Sequence, residues 1–311
     1  MSLAELQRMA HQSKGPKVKP ETPDNKAALV FLAPWILGAI GLTIGPMIAS
    51  LYLSFTNYNL LQPARWIGVT NYVRMVTDSR LLHSLEVTLL YVVIGVPCQL
   101  IAALGLALIL DRGMKGLSFY RSAFYLPSLL GSSVAIAVLW RLIFGGTGLF
   151  NTLLGLIGIH TSISWIGTPS TALSTLILLH VWTFGSPMVI FLAGLRQIPT
   201  ELYEAAATDG ASVGQQFRHV TIPLLTPIIF FNLVLAVINA FQAFTQAYIV
   251  SGGTGAPADS TLFYTLYLYL QGFRSFKMGY ASAMAWILVI LVALFTIVNF
   301  FLSKYWVHYD D

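Results

Sequence analysis

Apolar residues occur along this chain in six long runs, separated by shorter polar segments. Each run is close to the roughly 20 residues that cross a bilayer as a helix. Backbone groups in lipid must pair within their own segment, so the runs predict helices, and an all-α integral membrane protein, rather than strands. The predicted spans are Ala27–Phe55, Ser84–Leu110, Phe119–Phe144, Ala172–Leu195, Leu224–Val250 and Gly279–Ser303.

Prolines interrupt several of these runs. Pro97, Pro127 and Pro187 each lie inside or at the edge of one, where proline removes a helix hydrogen bond and bends the axis. The strongest predicted break is at Gly185-Ser186-Pro187. Two interpretations stay open: an ordinary packing kink of a membrane helix, and a bend that serves a cavity which must open.

Composition agrees with the membrane class. Hydrophobic residues make up 56% of the 311 positions and charged residues only 9%, against about 25% in soluble domains. The mean hydropathy is +0.74. The single cysteine, Cys98, lies in an apolar run and excludes an internal disulfide and cysteine-based metal spacings. We interpret it as a small buried hydrophobic residue.

The positive charges predict how the chain crosses the bilayer. Lys and Arg are scattered over loops rather than interleaved with aromatic residues, which argues against a nucleic-acid partner. With a cytoplasmic N-terminus, 11 of the 17 Lys and Arg fall on the inner side, as the positive-inside rule requires. We expect both termini in the cytoplasm, a flexible tail over residues 1–26, a first span that is not cleaved, a six-span domain over 27–303 and a short tail over 304–311.

The polar segment 197–223, between the fourth and fifth spans, has the pattern of two short helices. Thr200 can cap a helix over Glu201–Asp209, and Gly210 suits the left-handed position that closes it. Three alanines make one side of this helix small enough for another protein to approach closely. A docking element is favoured over a solvated connecting loop.

The second short helix is predicted by a capping box. Ser212 is followed three residues later by Gln215, a pair that can satisfy the first backbone amides of a helix, and Pro223 is expected to end it.

This segment resembles the EAA loop of binding-protein-dependent ABC importer permeases. Glu204-Ala205-Ala206, then Gly210 after three residues and Val220-x-Ile222-Pro223 after nine more, keep the spacing of that loop, with Val220 and Ile222 as mild departures. The resemblance implies that the loop inserts a coupling helix into a cleft of an ATPase subunit. The residues implied are Glu204, Ala205, Ala206, Asp209, Gly210 and Pro223.

The resemblance extends over most of the chain and is similar to the carbohydrate-uptake branch, typified by the maltose and glycerol-3-phosphate systems. The segments that carry it include Tyr120–Pro127, Val138–Arg141, Gly148–Asn151 and Phe276–Ala283. It implies a permease subunit in a bacterial inner membrane, with a second homologous permease subunit, two ATPase subunits and a periplasmic or lipid-anchored binding protein as partners. ATP and Mg²⁺ would belong to the ATPase.

Four carboxamides in the fifth run are candidates for a carbohydrate path: Asn232, Asn239, Gln242 and Gln246. On one continuous helix they would lie within about 80° of one another, and amides match sugar hydroxyls in donating and accepting hydrogen bonds. Asn239 falls near a position where the family contacts sugar. The alternative is that the amides only hold packed helices together.

The fourth run adds three candidates beside its break: Trp182, Thr183 and Ser186. A tryptophan face can stack on a sugar ring, although Trp182 is interpreted equally well as packing. His180, in the same run, has no carboxylate partner there and is interpreted as a polar residue whose hydrogen bonds are satisfied.

Several chemistries have no motif in this chain. There is no GxxxxGK[ST] phosphate loop, no HExxH and no GxSxG, so we expect neither an enzyme nor a cofactor of its own. Two other classes stay open: a secondary transporter, and a membrane-embedded hydrolase built on residues such as Ser186. Activity without any ATPase subunit would favour either.

Overall fold

The computed structural model describes residues 25–113, 116–131 and 133–308. Most of the predicted N-terminal tail and the last three residues lie outside this part. The chain divides into two units, Met1–Ala49 and Ser50–Asp311. In the described part the chain is helical, and its one extended pairing is an isolated antiparallel bridge between Thr56 and Trp66.

The first helical run corresponds to the first predicted span. It comprises α1 (Asn25–Gly38), a π-helical stretch (Ala39–Ile44) and α2 (Gly45–Ser54), and the unit boundary falls inside α2. Its apolar side chains are largely uncovered: Phe31 is 84% exposed and Leu42 is 83% exposed. A continuous apolar surface of this kind suits a lipid environment or another protein rather than water.

The second unit contains the remaining helices. In chain order they are α3 (Thr70–Thr77), α4 (Ser79–Asp111), α5 (Leu117–Leu130), α6 (Val134–Ile143), α7 (Leu149–Leu156), α8 (Pro169–Trp182), α9 (Gly185–Leu195), α10 (Thr200–Thr208), α11 (Val213–Gln216), α12 (Ile222–Phe241), α13 (Thr245–Val250), α14 (Tyr264–Tyr269) and α15 (Met278–Ser303). π-helical stretches precede α12 (Phe217–Thr221) and follow α14 (Leu270–Arg274).

Four described helical runs are long and apolar enough to cross a membrane, and the number rises to six if two bent pairs each count as one span. The second span, α4, begins five residues before its predicted start because the Asp78 side chain caps it by accepting a hydrogen bond from the Leu81 N–H at 3.1 Å. The sixth span, α15, begins within one residue of the predicted position.

The third predicted span is bent, as its proline indicated, but far more sharply than expected. Helices α5 and α6 meet at 96°, so this segment is a sharply broken span or a re-entrant loop. Pro127 lies in the last turn of α5. Ser133 caps the start of α6, where its side chain accepts a hydrogen bond from the Ile136 N–H. The capping side chain makes the break tolerable, because it satisfies a backbone donor that the interrupted helix leaves unpaired.

The fourth span breaks where the sequence predicts. Helices α8 and α9 meet at 41°, and α9 begins at Gly185. A Cβ atom at Gly185 would lie only 2.8 Å from the Tyr125 Cα, so glycine allows α9 to approach α5. The break is therefore both a bend in one span and a close contact between two.

The fifth span corrects the expectation for Pro223. Proline does not end the second short helix. It lies in the first turn of α12, and α11 continues into α12 through the π-helical stretch at Phe217–Thr221. Proline has no N–H to donate, so the helical hydrogen-bond ladder is interrupted at this position, directly after the π-helical stretch. The resulting helical run, Val213–Val250, connects the polar loop to the membrane-spanning region.

The core of the second unit forms around α4, which packs against α8, α9 and α12. Small side chains such as Ala103 and Ala107 are fully buried on α4, and Met188 and Leu192 are fully buried on α9. Cys98 corrects another expectation, because it is exposed on α4 rather than buried. Helix α4 turns its small residues toward α8 and α9, and Cys98 falls outside that face.

Candidate functional site

A cavity of about 520 Å³ lies among α4, α5, α8, α9, α12 and α13. Six of the seven predicted path residues line it: Thr183, Ser186, Asn232, Asn239, Gln242 and Gln246. The lining combines apolar side chains with hydroxyl, carboxamide and imidazole groups, and among the described residues it has no carboxylate, lysine or arginine. Such a surface can hydrogen-bond a neutral polyhydroxyl molecule from several sides.

His180, in the last turn of α8, also lines this cavity. Its ring packs against α4, where a Cβ atom at Gly95 would lie 3.1 Å from His180 Cδ2. Its Nε2 is buried and has no hydrogen-bond partner among the described residues, so the interpretation of His180 as a satisfied polar residue is wrong.

The remaining predicted path residue, Trp182, lies elsewhere. Its ring is 6.1 Å from that of Trp140 at an angle of 38°, in a small hydrophobic cluster built around Trp140, Phe144 and Leu179. Trp140 donates a hydrogen bond from Nε1 to the Thr175 carbonyl at 2.9 Å and so attaches α6 to α8. This position matches the packing interpretation of Trp182.

The break between α8 and α9 is held by side chains from two other helices. Gln99 on α4 donates from Nε2 to the Thr183 hydroxyl at 2.9 Å and to the Thr183 carbonyl at 3.2 Å. Ser128 on α5 donates to the same carbonyl at 2.8 Å and accepts from the Ser186 N–H at 2.9 Å. The backbone groups released by the bend are thus satisfied, and the bend keeps a defined geometry.

Gln99, Ser128 and Tyr91 line the cavity but are missed by sequence reasoning. For Gln99 a signal existed, because a carboxamide within the 33-residue apolar helix α4 should face protein rather than lipid. Ser128 and Tyr91 carry no such signal, since both residue types are common on membrane helices without any functional role.

The four carboxamides of the fifth span are brought together by folding rather than by one helix face. Helix α12 ends at Phe241 and α13 begins at Thr245. The expectation that all four amides lie on one face of a continuous helix is therefore wrong for Gln242 and Gln246. Gln246 donates from Nε2 to the Gly131 carbonyl at 3.2 Å, across to the break between α5 and α6.

The two asparagines of α12 differ in their surroundings. Asn232 is buried and donates from Nδ2 to the Ile228 carbonyl of its own helix at 3.1 Å. Asn239 is exposed to the cavity, and its side chain has no hydrogen-bond partner among the described residues. Asn239 therefore has the free donor and acceptor that a ligand could use.

The polar loop between the fourth and fifth spans has the predicted two-helix form. Helix α10 begins at Thr200, but its cap position is Pro199 and the Thr200 side chain makes no capping bond, so that expectation is wrong. Gly210 has a φ of +81°, the left-handed conformation predicted for it. The Ser212 N–H donates to Gln215 Oε1 at 2.7 Å, as a capping box requires.

Five of the predicted coupling residues lie at or near the end of α10 in this loop. Glu204, Ala205, Asp209 and Gly210 are exposed and Ala206 is half-buried, while Pro223 lies apart in the first turn of α12. The Tyr203 hydroxyl is 3.0 Å from the Thr221 hydroxyl and ties α10 to the π-helical stretch. The loop is thus connected to the start of α12 by a side-chain hydrogen bond as well as by the chain itself.

The N-terminal end of α4 carries a second polar cluster, formed by Asp78, Tyr267 and Tyr280. The two tyrosine hydroxyls donate to Asp78 Oδ2 at 2.9 and 2.8 Å. Burial by itself raises the pKa of Asp78, but the hydrogen bonds from Tyr280, the Leu81 N–H and Tyr267 outweigh it, so the pKa lies below its ordinary value of 3.8. The cluster joins α4, α14 and α15.

In the described part of the chain no group of three or more His, Cys, Asp or Glu side chains lies close enough to hold a metal ion. The described residues offer hydrogen-bonding groups in a cavity, a bent span and an exposed two-helix loop.

Comparison with known proteins identifies the family. The model of the family described as "Binding-protein-dependent transport system inner membrane component" matches residues 79–307. The "Probable ABC transporter permease protein YesP" of Bacillus subtilis (strain 168) is 52% identical over 289 residues, 93% of this chain and 94% of that protein. The "Probable starch degradation products transport system permease protein AmyD" of Thermoanaerobacterium thermosulfurigenes is 30% identical over 276 residues, 88% of this chain and 93% of its own.

A solved structure shows the same fold. A chain of the bacterial alginate ABC transporter, crystallised in complex with an alginate pentasaccharide-bound periplasmic protein, superposes with a TM-score of 0.78 at 19% identity, over 90% of this chain and 94% of that chain. Since the family model covers well over half of the sequence, this chain belongs to the binding-protein-dependent transport system inner membrane components.

Proposed function

We propose that this chain is one permease subunit of an ATP-driven importer for a sugar or oligosaccharide, and that it supplies half of the translocation path. The observation that carries the proposal is the physical link between two features. The helical run Val213–Val250 begins in the exposed two-helix loop and continues into the polar cavity. A movement imposed on the loop would therefore reach the cavity through the part of this run that ends at Phe241, which carries Asn232 and Asn239 of the lining.

The partners that we propose are those typical of the family. ATPase subunits would dock on the surface formed by Glu204, Ala205, Ala206, Asp209 and Gly210, and they would hold the ATP and Mg²⁺. A second homologous permease subunit would complete the path, and a soluble or lipid-anchored binding protein would deliver the carbohydrate at the opposite end. Membership of the binding-protein-dependent family and the uncharged polar cavity support this assembly.

A carbohydrate is the substrate class that the lining favours. Hydroxyl and carboxamide groups suit sugar hydroxyls, which both donate and accept. The relative AmyD is named for starch degradation products, which is consistent with the same class.

The orientation that we propose places both termini in the cytoplasm of a bacterial cell, because the predicted coupling loop and the C-terminal end of α15 would then face the ATPase. Single cysteines at Thr254 and His308, introduced with Cys98→Ser, report it. Position 254 should react with an impermeant maleimide from outside, and position 308 only after the membrane is opened. The reverse pattern would overturn the orientation.

Co-purification tests the function. The full chain, expressed with the neighbouring reading frames and extracted in mild detergent, should retain a second permease and an ATPase subunit. Reconstituted vesicles should take up at least one radiolabelled probe among maltotriose, arabinotriose and a mannuronate trisaccharide, and only with ATP and the binding protein. Uptake by this chain alone would instead favour a secondary transporter, and breakdown of a probe would favour a hydrolase.

A further inference from the structure

A second cavity, of about 380 Å³, lies at the N-terminal ends of α4 and α15, away from the cavity that Asn239 lines. Its wall is formed by the end of α3, the start of α4, α14 with the π-helical stretch that follows it, and the residue before α15. It carries charges of both signs, from Arg74, Asp78 and Lys277. Neither the proposed carbohydrate path nor the two-helix loop accounts for these charges.

Three spans end beside this cavity. Helix α2 ends at Ser54, α4 begins at Ser79 and α15 begins at Met278. Asn71 donates from Nδ2 to the Ser54 carbonyl at 2.8 Å, and the Gly279 N–H donates to the segment that follows α2 at 2.9 Å, so the ends are held together. With 26 residues, α15 is about 39 Å long, close to the roughly 40–45 Å of a bilayer with its headgroups. The cavity therefore lies in the headgroup layer.

Exposed apolar side chains stand directly beside the charged residues in the chain. On α3, Val73 precedes Arg74 and is 63% exposed, and Val76 is 74% exposed. Phe276 precedes Lys277 and is 48% exposed. Apolar side chains next to cations at the end of a span suit the boundary between headgroups and acyl chains better than they suit water.

The charged groups of the cavity do not neutralise one another. Among the described residues neither Arg74 nor Lys277 forms an ion pair, and the Arg74 guanidinium lies over the Tyr280 ring, 5.0 Å from its centroid. Asp78, whose pKa lies below its ordinary value, is ionised at neutral pH. Two cations and a carboxylate in one cavity are complementary to a headgroup that carries both a phosphate and an ammonium group.

We propose that this cavity binds the headgroup of an amine-bearing phospholipid, phosphatidylethanolamine. Arg74 and Lys277 bind the phosphate, the Asp78 carboxylate faces the ammonium group, and the exposed apolar side chains contact the acyl chains. A purely anionic headgroup fits less well because Asp78 repels it, and a choline headgroup has no N–H to donate. The inference goes beyond the proposed function, since it concerns the membrane and involves no carbohydrate.

The test uses the full chain in the complex with which it co-purifies, extracted in detergent and freed of loosely bound lipid. Dioleoyl-phosphatidylethanolamine is added, and native mass spectrometry records the lipid that binds at the lowest concentration. Arg74→Gln combined with Lys277→Gln should lower the apparent affinity for this lipid by about 5-fold or more, because charge-assisted hydrogen bonds to the phosphate are lost.

A second double substitution is the matched control. Arg65→Gln combined with Arg274→Gln removes the same charge from two exposed arginines that do not line the cavity. This variant should bind the lipid as the unsubstituted complex does. Equal affinity in the two double variants would overturn the proposal.

Comparison of headgroups tests the role of Asp78. Phosphatidylcholine and phosphatidylglycerol with the same acyl chains should bind the unsubstituted complex about 5-fold more weakly or worse. Asp78→Asn should narrow the difference between phosphatidylethanolamine and phosphatidylglycerol, a ratio that does not depend on how much complex survives purification. Equal affinity for the three lipids would show that no amine is recognised, and this comparison decides the matter if the first double variant does not assemble.

Two further measurements separate a lipid from other occupants. Glycerophosphoethanolamine and inorganic phosphate lack acyl chains and should not displace the lipid at equal concentration. Displacement by either would assign the cavity to a free phosphate compound and overturn the lipid site. A variant at Arg74 and Lys277 that keeps its lipid but loses the stimulation of ATP hydrolysis by the binding protein would assign the cavity to protein docking instead.

Discussion

The Arg80 guanidinium and the Asp259 carboxylate are 179 residues apart in the chain and form two parallel hydrogen bonds, from Nε to Oδ2 and from Nη2 to Oδ1, each of 2.7 Å. Arg80 Nη2 also donates to the Thr254 carbonyl at 3.3 Å. This fork attaches the segment between α13 and α14 to the first turn of α4. Its geometry is specific to arginine, because the planar guanidinium matches the two carboxylate oxygens.

Replacing Arg80 by lysine tests the fork, since the charge is kept but the paired geometry is lost. The Arg80 side chain is 46% exposed and the Asp259 side chain 30% exposed. We therefore expect the substitution to lower the free energy of unfolding by less than about 1 kcal/mol. The clearer effect should be faster amide hydrogen exchange in the segment around Thr254 and Asp259. Arg65→Lys, at an exposed arginine without an ion pair in the described part of the chain, should change nothing there. Equal exchange in both variants would contradict the prediction.

The Asp78 cluster predicts a pH dependence of stability. Because the pKa of Asp78 lies below its ordinary value of 3.8, folding favours the ionised form. The stabilisation is fully present above about pH 3.8 and is lost as the pH falls through the folded-state pKa. Asp78→Asn should therefore lower the melting temperature at neutral pH, and the difference from the unsubstituted protein should narrow below about pH 3.8.

The tyrosines supply the control for this prediction. Tyr280→Phe or Tyr267→Phe removes a donor to the carboxylate and should raise the pKa of Asp78 toward its ordinary value, which moves the acid transition upward. Melting curves of detergent-solubilised protein between pH 3 and 7 provide the measurement. A difference between Asp78→Asn and the unsubstituted protein that stays constant over this range would rule out the linkage.

Gly210, in the two-helix loop between the fourth and fifth spans, should be sensitive to substitution for a backbone reason. Its φ is +81°, and a Cβ atom there would meet nothing within 4 Å. Gly210→Val is therefore penalised by conformation, by roughly 1–2 kcal/mol, and not by a clash. The strain should distort the end of α10, so uptake and substrate-stimulated ATP hydrolysis should fall together.

Gly214 provides a matched control in the same loop. It lies in α11 without a positive φ and also has open space around it. Gly214→Val should retain most of the activity. If both valine variants transport alike, the left-handed turn is not part of the coupling element.

Asn239 and Asn232 separate the path interpretation from the packing interpretation. Asn239 is exposed to the cavity, so Asn239→Ala should lower uptake per assembled complex by about 5- to 150-fold, the range expected when a hydrogen-bond partner is removed. Asn232 is buried and bonded within its own helix, so Asn232→Ala should mainly reduce the yield or thermal stability of the complex. Normal uptake per complex in the Asn239 variant would contradict its role in the path.

Local pattern was sufficient for much of this protein. The length and hydrophobicity of the apolar runs predicted the spans. A helix in lipid satisfies its backbone hydrogen bonds within its own segment, so the segment alone is enough to predict it. The turn at Gly210 and the capping box at Ser212 and Gln215 were likewise predictable, since a left-handed glycine and a cap depend on only a few neighbouring residues.

Errors arose where packing overrides local preference. A proline in the sequence signals a bend but not its size, and the 96° angle between α5 and α6 was not foreseen. At Pro223 the expected end of a helix lies instead in the first turn of a longer one, because the chain continues as helix through the π-helical stretch Phe217–Thr221.

The sequence by itself determined the membrane class, the approximate spans and the two-helix loop, because each of these features depends only on residues that are close together along the chain. Only the tertiary structure decided which polar groups meet. Gln99, Ser128, His180 and Asn239 come from four different helices, and their convergence on one cavity depends on close contacts at Gly95 and Gly185. Such contacts are set by the shapes of whole helices against one another, and no periodicity along a single segment encodes them.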